Sequence, residues 1–346
     1  MKLTHTLMYD GNPRTAADQV VELEKAGLDV VWVAEAYGFD SPTLMGYLAA
    51  KTETVQIGSA ILNVFSRTPG ALLQTVAGLD NVSGGRAILG LGASGPQVIE
   101  GFHGVPYSKP LARTAEIVDL VRRGLRREVL THDGVFKLPL TKADGAVTGL
   151  GKPLKLLTHP ERDSVPIWIA ALGEKSVAQA AEIADGWIPH LFHPEKAGRV
   201  WGEALEQGRA RRSPDLAPLQ VTAGGMVAIG EGEETKALLD FARPLFALYV
   251  GGMGAKGKNF YNDVAKAYGY EEEAEKIQDL YLSGKKKEAE ALVPTEWLEA
   301  ANLVGPRSYV AERIAAFAEA GVTHLQVVPA SADPAATVRE LKEMVA

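Results

Sequence analysis

The chain contains no cysteine among its 346 residues, and this absence excludes several kinds of chemistry. Without thiols it can form no disulfide, no cysteine-ligated zinc or iron–sulfur site and no thiolate nucleophile. The sequence also lacks an apolar run long enough to span a bilayer. Its first residues, MKLTHTLMYDG, carry no apolar stretch typical of a signal peptide. We therefore expect a cytoplasmic protein.

An excess of positive charge is also lacking. The net charge is −7 and the isoelectric point is about 5.6, which argues against a nucleic-acid partner or an anionic membrane surface. Hydrophobic residues make up 46% of the chain and charged residues 23%, as in soluble globular proteins with a sizeable core. We expect neither a nucleic acid nor a membrane as a partner.

What the sequence does contain is a regular alternation of strand and helix patterns. Residues 28–34, LDVVWVA, form an almost wholly apolar run typical of a parallel strand that is covered on both faces. The preceding helix is predicted to have Asn12 as its N-cap, Pro13 at its first position and Gly27 as its stop signal. About eight such units favour an α/β fold of the (β/α)8 TIM-barrel type, with an open doubly wound sheet as the rival. The other predicted helices are 41–52, 69–82, 111–129, 174–184, 194–211, about 233–248 and 309–320, and the other strands are 55–61, 86–91, 166–171, 186–191, 219–229 and 322–328.

Two segments depart from the alternation. Residues 134–140 and 152–157 predict two short strands around a glycine-rich turn. A glycine-rich stretch at 251–258 leads into a charged helical region that reaches about residue 301. We interpret them as insertions, near 130–160 and 251–302, in one barrel domain that covers residues 1–346.

One glycine pattern, LGLGASGPQV at residues 89–98, spells the GxGxxG dinucleotide fingerprint. That fingerprint belongs after a first strand and has an acidic residue about 20 positions further on, at the end of the next strand. Here it follows roughly the fourth strand and no such residue follows, so a Rossmann site is not favoured. In a barrel, this strand-end loop and the loop WIAALGEKS at residues 168–176 would lie at the active-site face. Two loops of small residues could hold a phosphate, although each alone could be only a tight turn.

These motifs resemble a known family. The run SGGRAILGLGASGPQ at residues 83–97 is similar to the bacterial luciferase-like superfamily, and most of all to its branch that depends on coenzyme F420, an 8-hydroxy-5-deazaflavin hydride carrier. VWVAEAYG at 31–38, ADGW at 184–187 and GGMGAKGKNFY at 251–261 also match, so the resemblance covers essentially the whole chain. It implies a barrel with insertions, a homodimer, and an oxidoreductase that moves a hydride between the C5 carbon of the deazaflavin and a small organic substrate.

The resemblance also implies how the cofactor is held. Its phosphate, or the chain leading to it, should meet the loops at residues 93–97 and 171–173. Its ring should lie against a bulge after the third strand, where we place a non-prolyl cis peptide between Ala60 and Ile61; an ordinary trans strand end is the alternative. The residues that the resemblance places at the cofactor are Glu35, Ala60, Ile61, Asn63, Ala93, Ser94, Gly95, Gln97, Ala171, Leu172 and Gly173.

Three side chains near the predicted mouth are candidates for catalysis. Glu35 ends the second strand, where a partly desolvated carboxylate would suit acid–base chemistry, or it could be solvated or paired with a lysine of the barrel. Tyr37 and Asn63 are expected nearby as hydrogen-bonding groups for the ring or the substrate. Ala36 stands where some relatives have a histidine, so the catalytic base of those relatives is not carried over to this chain.

Three more residues are expected to contact the substrate. His190 follows the strand that begins at Gly186. Lys256 and Lys258 lie among glycines that could form a mobile lid for an anionic substrate or the acidic tail of the cofactor, or only a solvated loop. The pair formed by His190 and His193 lacks a clear third ligand, so no metal site is predicted.

Two other functions stay open from the sequence. One is a monooxygenase that uses reduced FMN in the same pocket, and the other is a non-catalytic barrel that binds a flavin or a partner protein. Because a deazaflavin reacts poorly with oxygen, the resemblance favours a dehydrogenase or reductase with coenzyme F420 as the cofactor.

Overall fold

The computed structural model describes residues 1–8 and 11–346. Eight parallel strands form its centre, and each pairs with the next along the chain. The last strand pairs back with the first, with His324 opposite Lys2, so the sheet closes into a barrel. This closure confirms the predicted (β/α)8 fold and excludes an open doubly wound sheet. The strands are β1 (Lys2–Leu7), β2 (Val30–Val33), β3 (Gln56–Ser59), β4 (Ala87–Gly92), β5 (Ile167–Ala170), β6 (Gly186–Ile188), β7 (Gln220–Ile229) and β8 (His324–Pro329).

A helix follows every strand and covers the outside of the barrel. The side chain of Asn12 caps the first helix by accepting a hydrogen bond from the backbone of Arg14, and Gly27 follows the helix with a φ of 104°, as predicted. Six of the eight helices have proline in their first two positions, where its missing N–H costs nothing. The helices are α1 (Pro13–Lys25), α2 (Ser41–Lys51), α3 (Pro69–Val82), α4 (Pro110–Leu125), α5 (Glu174–Ile183), α6 (Pro194–Arg211), α7 (Arg307–Glu319) and α8 (Pro334–Met344).

Two tryptophans fill the barrel interior. The rings of Trp32 and Trp168 are buried and lie edge to face, with centroids 5.2 Å apart. Each ring lies over a glycine of the next strand, because a Cβ atom at Gly58 would be 2.3 Å from Trp32 and one at Gly186 would be 2.1 Å from Trp168. The interior below the mouth is therefore a packed core that leaves no room for a side chain at either glycine.

The segment between α4 and β5 contains less strand than predicted. Residues His132–Asp133 pair with Lys137–Leu138 as a short antiparallel hairpin, and the predicted strand at 152–157 contributes only one bridge, between Leu154 and Leu130. Pro139 directly follows the hairpin and has no N–H group to continue a ladder. The prediction of two strands at 134–140 and 152–157 was therefore wrong in extent.

The segment between β7 and α7 is helical but broken. The predicted helix at 233–248 is interrupted because Pro244 has no N–H group for a continuous helix, and several short helical segments form instead. A short strand, Leu303–Gly305, which the sequence reading missed, pairs with the end of β7. Among the described residues, no helix has the length and hydropathy needed to cross a membrane. The helical segments are Glu233–Ala237, Leu238–Ala242, Arg243–Ala247, Leu248–Gly252, Phe260–Ala267, Glu271–Leu282, Lys286–Ala291 and Thr295–Ala301.

Candidate active site at the barrel mouth

Two glycines of the GxGxxG pattern serve strand packing. A Cβ atom at Gly90 would lie 1.7 Å from the carbonyl oxygen of Ser59, so only glycine lets β4 approach β3 this closely. The hydroxyl of Ser59 donates to the carbonyl of Gly90 at 2.8 Å and accepts from its N–H at 3.0 Å. At Gly92 a Cβ atom would lie 3.0 Å from the side chain of Ile61. The resemblance to a dinucleotide fingerprint therefore comes from a barrel strand.

Small aliphatic side chains form the floor of the mouth. The peptide between Ala60 and Ile61 is cis, as the resemblance implied, and both residues are half-buried. Ala60 and Ile188 pack against the tryptophan cluster from above, and Ala170 lies 3.5 Å from the position of a Cβ atom at Gly92. This floor offers apolar surface without bulky side chains, which suits a flat ring.

The loop after β4 carries the third glycine of the pattern. Gly95 is the N-cap of a short helix, Pro96–Gly101, that the sequence reading missed. Ser94 is exposed and has a φ of 55°, and its carbonyl oxygen accepts a hydrogen bond from the hydroxyl of Tyr107 at 3.3 Å. Ala93 is half-buried and Gln97 is exposed at the start of that helix. The backbone at residues 93–97 is therefore accessible to a ligand.

The loop after β5 is held in place by two indole groups. Trp187 Nε1 donates to the carbonyl of Ala171 at 2.9 Å, and Trp201 Nε1 donates to the carbonyl of Leu172 at 2.8 Å. Gly173 is the N-cap of the ten-residue helix α5, whose first N–H groups have no intrahelical partner. Because β4 and β5 are neighbours in the barrel, the two predicted anion-binding loops lie side by side.

Glu35 is held in an ion pair with Arg67. The guanidinium of Arg67 donates to both carboxylate oxygens, at 2.6 and 2.8 Å, and the backbone N–H of Ser41 donates at 2.9 Å. The carboxylate is therefore paired, as one alternative from the sequence proposed, but with an arginine instead of a lysine. Glu35 is only 6% exposed, and the pair ties the end of β2 to the segment after β3. Arg67 was not predicted as a site residue, although it lies in the loop between β3 and α3.

Asn63 is buried and tied to two neighbouring segments. Its Oδ1 accepts hydrogen bonds from the backbone N–H groups of Phe65 and Ser66, and its Nδ2 lies 3.3 Å from Nε2 of His103. The sequence reading missed His103, which lies only eight positions beyond Gly95 in the segment after β4. Tyr37 is exposed, and its ring centroid lies 6.4 Å from that of Phe102.

His190 lies at the end of β6 beneath the helical insertion. Its ring centroid is 4.0 Å from that of Tyr249 and 5.6 Å from that of Tyr261. Its Nε2 atom is buried without a hydrogen-bond partner among the described residues, and burial lowers the pKa of the imidazole to about 4. At neutral pH the ring is therefore uncharged and has an unused polar atom.

The two predicted lysines differ in their surroundings. Lys256 forms an ion pair with Asp279 of the helix Glu271–Leu282, and this carboxylate raises the pKa of the ammonium. Its charge is therefore already balanced within the insertion. Lys258 lies one residue before Asn259, whose side chain joins the two ends of the glycine-rich loop through the carbonyls of Tyr249 and Val250. Within residues 1–8 and 11–346, no group of three His, Asp or Glu side chains is arranged to hold a metal ion.

Comparison with known proteins relates this arrangement to one family. The sequence model of the luciferase-like monooxygenase family matches residues 2–324. A protein of Mycobacterium tuberculosis named "Putative coenzyme F420-dependent oxidoreductase" is 40% identical over 353 aligned positions, which cover 100% of this chain and 99% of that protein.

Solved structures show the same fold. The coenzyme F420-dependent tetrahydromethanopterin reductase from Methanopyrus kandleri superposes with a TM-score of 0.79 at 22% identity, covering 99% of this chain and 97% of that chain. The oxygenating constituent of 3,6-diketocamphane monooxygenase from Pseudomonas putida, in complex with FMN, superposes with a TM-score of 0.64 at 16% identity, covering 100% and 98%.

Proposed function

The chain belongs to the luciferase-like monooxygenase family, and from this premise we propose that it is a coenzyme F420-dependent oxidoreductase. The proposed reaction is the transfer of a hydride between C5 of the deazaflavin and a small organic substrate. The cofactor supplies the hydride chemistry when it is bound, and the protein supplies binding, orientation and exclusion of water. A relative that is 40% identical over the whole chain and carries an F420-dependent name supports this choice of cofactor.

The observation that carries the proposal is the combination of an apolar floor with two adjacent strand-end loops, one of which leads into the N-terminus of α5. Ala60, Ile61, Ala170 and Ile188 offer the ring a surface above the buried tryptophans. The start of α5 offers a negatively charged group the unpaired N–H groups of a helix N-terminus. These features fit a cofactor with a planar ring at one end and a phosphate along its chain.

Each predicted site residue receives a role under this proposal. Residues 93–95, Gln97 and residues 171–173 surround the phosphate, and residues 60 and 61 support the ring. Glu35 is a positioning residue, because a carboxylate that binds an arginine through both oxygens is poorly suited to carry protons. Tyr37, Asn63 and His190 line the substrate side, and Lys258 extends toward an acidic ligand. Lys256, which pairs with Asp279, holds the glycine-rich loop to the helical insertion.

A binding titration tests the proposal. Oxidised deazaflavin should bind the purified protein, with a change in its absorbance and fluorescence, and FMN should bind more weakly. Binding of FMN without binding of the deazaflavin would contradict the proposal and favour the monooxygenase. If neither cofactor binds, both the F420-dependent oxidoreductase and the FMN-dependent monooxygenase are contradicted.

Two tryptophan substitutions localise the site. Ser94→Trp places a large side chain in the loop after β4 and should abolish deazaflavin binding. Ser213→Trp makes the same change at an exposed position after α6, at the opposite end of the barrel, and should leave binding unchanged. Equal binding by both variants would contradict the assignment of the phosphate to this loop.

The quaternary structure and the cellular location also remain proposals. We propose a homodimer, which sedimentation of the purified protein tests directly, since a monomer at micromolar concentration would contradict it. We propose a cytoplasmic location, which cell fractionation tests.

A further inference from the structure

His103 lies where three strand-end segments meet at the barrel mouth. It belongs to the segment after β4, and its Nε2 atom is 3.3 Å from Nδ2 of Asn63, which follows β3. The adjacent ring of Phe102 approaches Tyr37, which follows β2. Asn63 is paired in register with Gly92, so the imidazole stands beside the floor of the mouth.

The backbone sets the orientation of the Asn63 side chain. Its Oδ1 accepts hydrogen bonds from Phe65 N at 3.0 Å and from Ser66 N at 2.7 Å. Only the oxygen of an amide can accept hydrogen bonds, so Nδ2 must be the atom that faces His103. Asn63 is 3% exposed, so water does not compete for these contacts.

Asn63 in turn determines which nitrogen of His103 carries hydrogen. An amide NH2 group only donates, so Nε2 of His103 must be the acceptor in this contact. The neutral imidazole then carries its hydrogen on Nδ1. A hydrogen on Nε2 would set two donors against each other inside a largely buried contact.

We propose that His103 is a hydrogen-bond donor that binds an acceptor oxygen of the substrate through Nδ1–H. The hydrogen bond found for this side chain among the described residues uses Nε2, and the ring is only half-buried, so a ligand can reach Nδ1. Through Nδ1–H, His103 orients and polarises that oxygen. The inference rests on the proposed function, because it takes the mouth as the substrate site.

The surroundings of His103 narrow the class of substrate. Phe102 is 64% exposed and Tyr37 is 60% exposed, so both offer apolar surface to a carbon skeleton beside the donor. A ring N–H group suits an uncharged acceptor such as a carbonyl oxygen, and the charge of Lys256 is already balanced by Asp279. The substrate we infer is an uncharged ketone or aldehyde, or the alcohol that corresponds to it.

The first experiment measures the tautomer in the ligand-free protein. Nitrogen NMR of protein labelled with 15N-histidine distinguishes a protonated ring nitrogen from an unprotonated one, and loss of the signal in the His103→Asn variant assigns it. In the uncharged ring we expect hydrogen on Nδ1 and none on Nε2. Hydrogen on Nε2 in the unmodified protein would overturn the inference whatever the variants do.

A variant of Asn63 tests the cause of this tautomer. Asn63→Asp replaces the donor that faces Nε2 with an acceptor, so hydrogen should appear on Nε2. Asn81→Asp makes the same change at an exposed position near the end of α3 and should leave the His103 signals unchanged. A His103 signal that does not respond to Asn63→Asp in folded protein would contradict the link between the two residues.

The second experiment uses cyclohexanone, benzaldehyde and acetone as probes, with oxidised deazaflavin bound. At least one probe should shift the Nδ1 signal of His103 and change the fluorescence of the bound deazaflavin. His103→Asn keeps an N–H group near the position of Nδ1, so its affinity for that probe should stay within about twofold of the original. His103→Gln places its amide near the position of Nε2 instead. It should lower the affinity for the probe roughly five- to tenfold, which corresponds to the loss of one neutral hydrogen bond.

The outcomes separate this inference from the proposed function. If the deazaflavin binds but no probe shifts His103, or if both variants weaken binding equally, the donor role is wrong and the cofactor assignment stands. If the deazaflavin does not bind, the proposed function fails, while the tautomer in ligand-free protein still tests the contact with Asn63.

Discussion

The two ends of the barrel are built from the same eight strands but differ in almost every physical respect. The interior below the mouth is filled by Trp32, Trp168 and His324, with ring centroids about 5 Å apart and glycines beneath the indoles. The mouth is lined by small aliphatic residues and by polar side chains of the strand-end segments, such as Asn63 and His103. The comparison indicates that the amino-terminal end provides stability, and it leaves the carboxyl-terminal end as the face for the proposed binding site.

Each end also contains one buried carboxylate that is paired with an arginine. At the mouth, Glu35 pairs with Arg67 and supports the segment that carries Asn63. At the opposite end, Asp80 pairs with Arg162 and also accepts from the backbone N–H of Ala87, the first residue of β4. The same chemical pair therefore supports a strand-end loop at the mouth in one place and the start of a strand in the other.

The largest expected effect comes from breaking the pair at the amino-terminal end. Arg162→Ala leaves the fully buried carboxylate of Asp80 without its partner, which should lower the free energy of unfolding by about 3–5 kcal/mol. Deazaflavin affinity of the folded fraction should not change. Arg67→Ala should instead weaken deazaflavin binding and lower the free energy of unfolding by less. Urea denaturation and cofactor titration of both variants measure the contrast. Equal losses of stability and equal changes in affinity would contradict the different roles of the two ion pairs.

The next effect concerns pH. Burial lowers the pKa of His324 in the interior and of His190 at the mouth from 6.5 to about 4. Because the folded-state pKa is the lower one, the unfolded chain takes up protons first. The free energy of unfolding is therefore highest above pH 6.5. It falls as the pH drops toward 4, by up to about 3 kcal/mol for each histidine.

The free energy of unfolding, measured by denaturation between pH 7 and pH 4, should therefore depend less on pH for His324→Gln than for the unmodified protein. His159→Asn, at an exposed position, is the matched control and should keep the original slope. Bound deazaflavin should alter the part of the slope that comes from His190 and leave the part from His324 intact. A slope that does not depend on His324 would show that its burial is not retained in solution.

A smaller effect is expected from a methyl group in the interior. Gly186→Ala would place a Cβ atom 2.1 Å from the ring of Trp168, which forces the ring to move and should cost about 2–3 kcal/mol. Gly198→Ala lies within α6, has no atom within 4 Å of its new Cβ atom, and should stabilise by up to about 1 kcal/mol. Thermal denaturation of the two variants measures the difference, and equal midpoints would mean that the tryptophan packing is looser than described.

The smallest effect on stability is expected at the mouth. Gly92→Ala would bring a Cβ atom 3.0 Å from the end of the Ile61 side chain, which can move, so the loss should be about 1 kcal/mol or less. Because Ile61 belongs to the floor, the same change should weaken deazaflavin binding severalfold. Unchanged deazaflavin affinity of Gly92→Ala would contradict the assignment of Ile61 to the binding surface.

Local patterns predicted seven of the eight barrel helices, because their signals lie within a few residues, but neither α8 nor β1 was predicted. Helices α3 and α6 begin and end as predicted, since Pro69 and Pro194 mark the first helical positions. The helix predicted at 233–248 was broken at Pro244, and the strand predicted at 152–157 was reduced to one bridge. The break follows from the sequence itself, whereas the pairing of a strand depends on a partner segment that propensity alone does not show.

The candidate site was predicted only in part. Strand-end positions placed Glu35, Asn63 and the two loops at one face, because carboxyl ends of parallel strands meet there. Arg67 and His103 were missed because their importance depends on contacts with residues 32 and 40 positions earlier in the chain. No spacing rule connects such residues, and only the closed barrel brings them together.

By itself, the sequence determined most of the alternation of strands and helices, the starts of helices such as α1, α3 and α6, and the face on which the loops gather, because these follow from periodicity and from capping chemistry within one unit. The tertiary structure decided that Gly90 and Gly92 serve strand packing, that Glu35 is paired with an arginine, and that Asn63 faces His103. The physical reason is distance along the chain, since a hydrogen bond or a close contact between remote residues exists only after the barrel has closed.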